Sequence, residues 1–182
     1  MIPAGYMTKR LATRPEWLAS VEIHDIYSLS SCISEDFDDY TDLWKHSGYG
    51  LFDSPLAIRE NAIANAIDLT ETKLFFYEVF GQEFDDSNWF DFSPVEGLVT
   101  HVTQPSAKQL NGFDVVTFSR GQGPECSPLS CNSLAEHIPV NEHCLLASFD
   151  KAYKALSEGK FDGCEPGPYR IFAVYSVDWP TK

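Results

Sequence analysis

Positive charge is scarce in this chain. Its 182 residues hold 13 Lys and Arg against 27 Asp and Glu, a formal net charge of −14, with a pI near 4.6. Nucleic-acid binding runs on phosphate neutralisation by Lys and Arg, so a nucleic-acid partner is not expected. Long apolar runs are missing as well. Runs such as Leu74-Phe-Phe-Tyr and Ile171-Phe-Ala-Val-Tyr are strand-sized and far short of the roughly 18 residues of a membrane helix, so no membrane association is expected. The first ten residues, Met1-Ile-Pro-Ala-Gly-Tyr-Met-Thr-Lys-Arg, lack the apolar core of a secretory signal. Five cysteines (Cys32, Cys126, Cys131, Cys144, Cys164) are an odd number in a chain large enough to build a core, which argues against a disulfide framework and for a reducing, cytoplasmic setting.

Catalytic signatures are equally sparse. HExxH, GxSxG and DxDxDG do not occur. Gly121-Gln-Gly-Pro has the strand-to-helix context of a phosphate cradle, but lacks the GxxxxGK[ST] lysine and the third glycine of GxGxxG. Cys126 and Cys131, with His143, Cys144 and Cys164, supply zinc-ligand types, yet without the tight pairing of structural zinc sites and with a helix-starting Pro128 between the first two. No metal and no cofactor is therefore expected.

What the chain does hold is apolar material, 43% hydrophobic and 14% aromatic, enough for one domain spanning residues 1–182. Aromatic and β-branched residues mark main strands at 23–30, 73–80, 113–119 and 169–177. Three helix starts carry a serine cap: Ser34 followed by Glu35 and Asp36, Ser54-Pro55, and Ser148, with Ser127-Pro128 opening a further one. Alternating strands and helices predict an α/β or α+β fold, helices packed on a mixed sheet. The expected core is Ile26, Phe37, Leu43, Leu51, Ile63, Phe75, Val79, Val115, Leu134, Leu145, Leu156, Phe172 and Val174.

The order strand, helix, short strand, Ser-capped helix, strand occurs twice, over residues 21–83 and 110–178. The offset drifts from 89 (Asp25 to Asp114) through 94 (Ser54 to Ser148) to 97 (Leu74 to Ile171). Two copies are too few for a solenoid, so they are expected to pair about a pseudo-two-fold axis, with a groove between them.

Two groups of residues could carry function. Cys126 sits just before a helix start, where backbone N–H groups favour a thiolate. With Cys126 or Cys131 as nucleophile, His137 or His143 as base, and Asn132 or Glu142 to orient it, the parts of a Cys–His nucleophile are present. Glu125 beside Cys126 opposes this, because a carboxylate raises a thiol pKa. The second group is acidic. Glu35, Asp38, Asp39 and Asp42 fall on one predicted helix, whose i, i+4 repulsion a basic partner would relieve. Asp85 and Asp86 interleave with Phe84, Trp89, Phe90 and Phe92, aromatic anchors inside a charged rim. The leading expectation is a non-catalytic protein-binding domain, of the inhibitor or immunity type, acting on a basic protein. A cysteine enzyme centred on Cys126 or Cys131, and a small-ligand domain with its site between the halves, are the alternatives.

Overall fold

The computed structural model describes residues 1–13, 16–18, 21–29, 47–119 and 123–180. The predicted helix from Ser34, with Glu35, Asp38, Asp39, Asp42 and the expected core residues Phe37 and Leu43, lies outside them. The fold is α+β. Strands β1 (Ile2–Lys9), β4 (Lys73–Asp85), β5 (Asn88–Asp91), β6 (Gln109–Thr117) and β7 (Tyr169–Val177) form one sheet in the order β1-β4-β7-β6, with β5 folded onto the end of β4. Every one of these ladders is antiparallel. Among the described residues the parallel contact is a single bridge, Ser47 to Val99.

Strand parity sorts the core into two faces. Tyr6, Phe76 and Leu74 point to α1 (Pro55–Ala64), while Val115 and Ile171 point to α3 (Phe149–Ser157). Both helices therefore cover the same face. On the other face Phe75, Tyr77, Val79, Phe172 and Val174 are covered by Tyr27, Leu29, Tyr49, Leu51 and Leu145, which come from loops. The Ser54 and Ser148 hydroxyls accept from the Ala57 and Lys151 N–H groups, the capping bonds that start α1 and α3.

Four expectations need correction. Residues 23–29 do not make a main strand. Asp25–Ile26 forms a short β3 against β2 (Ala12–Thr13), and the backbone then turns its hydrogen bonds to His143 O and the Asp114 carboxylate. A different strand, β1, occupies the sheet edge, disguised in sequence by Pro3 and Gly5; Pro is tolerated at an edge or a bulge, and β1 has its bulge between these two. Ile63 is 82% exposed, because α1 buries Ile58, Asn61 and Ala62, which rotates position 63 to the outside. The helix opened by Ser127-Pro128 is a four-residue α2 (Pro128–Cys131) followed by a 3-10 turn at Leu134–Glu136, not a run to Pro139. The other described core residues are buried, Leu134 partly so.

One local arrangement occurs twice. Tyr6 and Phe52 exchange both backbone hydrogen bonds, as do Phe113 and Leu146. Ser47 N–H donates to Leu51 O and Asn141 N–H to Leu145 O. The Ser47 hydroxyl reaches Ala4 O, and the Asn141 amide reaches Asn111 O. Each edge strand bulges at the same step, before Gly5 in β1 and before Gly112 in β6. These glycines have φ of 151° and 150°, and a Cβ on either would stand under 3 Å from Leu51 Cβ or Leu145 Cβ.

Candidate functional site

The cysteine–histidine residues separate in space. Cys126 is buried, and its thiol donates to Asn132 Oδ1 and Glu165 Oε2, each at 3.4 Å. Hydrogen bonding with Cys131 first, and burial second, push its pKa far above that of an ordinary thiol. A thiol donating to a carboxylate is held protonated, the opposite of an activated nucleophile. Cys144 is pushed up to about 12, chiefly by burial, and burial raises Cys164 as well. His137 is exposed at the end of the 3-10 turn. His143 stacks flat on Tyr27, ring centroids 3.8 Å apart, with Glu142 Oε1 at 3.7 Å from Nε2. Burial lowers its pKa, and Lys73 lies over the Tyr27 ring and donates to its hydroxyl.

The second acidic segment forms the β4–β5 hairpin. Asp85 pairs with Asn88 across the turn, and Asp86 occupies the turn itself with φ 44°. Asp86 and Asp91 are exposed, as is half of Phe90. The other rings turn inward. Trp89 stacks on Tyr153 of α3 at 4.3 Å and 2°, donates to the Ser157 hydroxyl, and meets Phe80 and Phe84 edge-on or tilted. Glu83 accepts from Arg170 Nε at 2.9 Å. The hairpin thus shows water Asp86, Asp91 and Phe90, while Trp89 fastens it to α3.

Sequence reasoning missed a buried polar hub on the loop-covered face. Lys9 of β1 is 3% exposed and Asp114 of β6 is fully buried. Between them lies one peptide unit: Lys9 Nζ donates to Ser28 O, and the next N–H, of Leu29, donates to Asp114 Oδ2 at 2.7 Å. Asp114 also accepts from the Ser127 hydroxyl at 2.7 Å and from Val115 N–H, while the Ser28 and Ser130 hydroxyls bond at 2.9 Å. The Tyr77 hydroxyl, buried without a hydrogen-bond partner, also feels the Asp114 charge. Burial lifts Asp114 to about 6 and lowers Lys9 to about 8. The available signal was Asp114 standing in Phe113-Asp-Val-Val, a strand apolar on both faces.

Among the described residues, no group of three or more His, Cys, Asp or Glu is placed to hold a metal ion, and no helix is long and apolar enough to cross a membrane. No protein family, curated protein or solved structure matches the chain.

Proposed function

We propose that this chain is an acidic, non-catalytic binding domain that engages a basic protein in the cytoplasm. The observation that carries this reading is where the cations go. Lys9, Arg59, Lys73, Lys108 and Arg170, five of the nine described basic side chains, lie over aromatic rings of the chain itself. Lys108 is further tied to Glu78 at 2.6 Å and Arg170 to Glu83. The acids are left outward, at Asp86, Asp91, Glu96, Glu136, Glu142, Asp150, Glu158 and Asp162 among others. A surface so unbalanced attracts a positive partner over long range. The thiols held protonated at Cys126 and Cys144 give the cysteine-enzyme alternative no support.

The test is affinity capture from the native host with the natural chain and with a variant carrying Asp38, Asp42, Asp85 and Asp86 changed to Lys. Basic proteins retained by the first and lost by the second support the reading. A retained set indifferent to the four reversals overturns it.

We also infer that the chain is a duplication of one unit, paired about an axis between Tyr77 and Val174. The matched hydrogen bonds and bulges support it. They equate Gly5 with Gly112, Ser54 with Ser148 and Tyr77 with Val174, so that β1 and not the segment at Asp25 is the counterpart of β6, and Tyr77 and Val174 are themselves paired across β4 and β7. The sequence adds Ser28-Leu-Ser-Ser-Cys-Ile-Ser beside Ser127-Pro-Leu-Ser-Cys-Asn-Ser.

A further inference from the structure

The two helices that the repeated arrangement equates are covered differently. Over α3, Phe80 meets Phe149 at 4.8 Å, Phe149 meets Phe113 at 6.4 Å, and Trp89 stacks on Tyr153. Over α1, three of the matching positions hold smaller or polar residues, Val177 for Phe80, Pro55 for Phe149 and Arg59 for Tyr153, while Tyr6 stands for Phe113. Where the first site is filled with rings, the second is an open groove of about 430 Å³ whose apolar walls are Tyr6, Pro55, Leu74, Val177 and Trp179. That volume suits one large side chain or a small ligand. The charged residues lining the groove are Asp53 and Asp178, both acids. Arg59 lies behind the Trp179 ring at 5.2 Å and is held there by a bond to Pro180 O. Leu56 and Ile63 of α1 are exposed, 61% and 82%.

We propose that this groove binds an aromatic side chain of a partner protein, presented on an extended segment and flanked by Lys or Arg. The proposal rests on the protein-binding reading above. The aromatic ring takes the place that the chain's own rings fill on α3. The flanking cations meet Asp53 and Asp178 at the groove, which is the charge complementarity that an acidic surface offers. An aromatic anchor in an apolar slot with a charged rim is the usual arrangement of a dominant binding contact.

The probe is a synthetic Lys-Arg-Trp-Arg-Lys peptide and its counterpart with Ala for Trp, titrated into the full chain at low ionic strength and followed by calorimetry and amide NMR. The Trp peptide is expected to bind about tenfold more tightly than the Ala peptide and to shift the amides of Ala57 and Val177. Val177→Phe, which copies the filled site, should erase that advantage while leaving the fold intact. Should that variant fail to fold, Ser106→Trp fills the same groove from an exposed loop position and reads the same loss. Equal binding of both peptides, indifferent to these variants, overturns the groove and leaves the acidic-surface reading standing. Failure of both peptides to bind overturns the groove and counts against the acidic surface as well.

Discussion

Asp114 and Lys9 clamp the Ser28–Leu29 peptide from two sides, so each one's removal strands buried groups. Asp114→Ala leaves Leu29 N–H and the Ser127 hydroxyl without their acceptor and Lys9 without its counter-charge. Breaking a buried charge arrangement costs about 3–5 kcal/mol, and chemical denaturation should register a loss of that size. The pH dependence has two legs. Asp114 is lifted to about 6, so the folded chain holds a proton that the unfolded chain has already lost. Stability from this group therefore falls as pH rises from about 4 to about 6. Lys9 is lowered to about 8, so the folded chain sheds its proton first, and stability rises as pH climbs from about 8 to about 10. Asp114→Asn should flatten the acid leg in a difference curve against the natural chain, and Lys9→Met the alkaline leg. An unchanged acid leg in Asp114→Asn would place the titration elsewhere. Lys9 was not legible as buried, and for Asp114 the signal was its apolar strand alone. Both look like ordinary strand polar residues, and what buries them is contact with residues 28 and 29, 85 positions away from Asp114.

At the scale of elements, the strands β4, β6 and β7 and the helices α1 and α3 were readable because their signals are local: aromatic and β-branched runs, and a serine cap one step before the first turn. Strand β1 was not, because its identity depends on a bulge and on Gly5 lying against Leu51 and Phe52, contacts that exist only after the chain has folded. The same reasoning predicts that Gly5→Ala and Gly112→Ala are both destabilising, by about 1–3 kcal/mol each, since backbone strain and overpacking act together. Melting curves showing one glycine indifferent would break the equivalence of the two edges. The hairpin makes a second prediction. Trp89 was expected as a binding anchor and is found stacked on α3, so Trp89→Ala should lower the stability of the isolated chain by roughly 2 kcal/mol, a core-type loss reduced by partial exposure. A variant with unchanged melting temperature but weakened partner binding would return Trp89 to the surface role.

For the whole molecule, the charge imbalance was legible from composition alone, but its distribution was not. Sequence cannot tell that Lys73 will sit on Tyr27, Lys108 on Tyr175 or Arg170 between Phe92 and Phe118, because those rings come from distant strands and loops. Five of the nine described cations lie over the chain's own rings, and the proposed acidic surface rests on that placement. The measurement that bears most directly on it is the association rate with a captured basic partner as a function of ionic strength. The Debye length shrinks from about 30 Å at 0.01 M salt to about 3 Å at 1 M, so the on-rate should fall steeply across that range while the off-rate changes little. Asp85→Lys with Asp86→Lys should slow association at low salt and flatten its salt dependence. An on-rate indifferent to salt, and unchanged by the two reversals, would contradict an acidic binding surface.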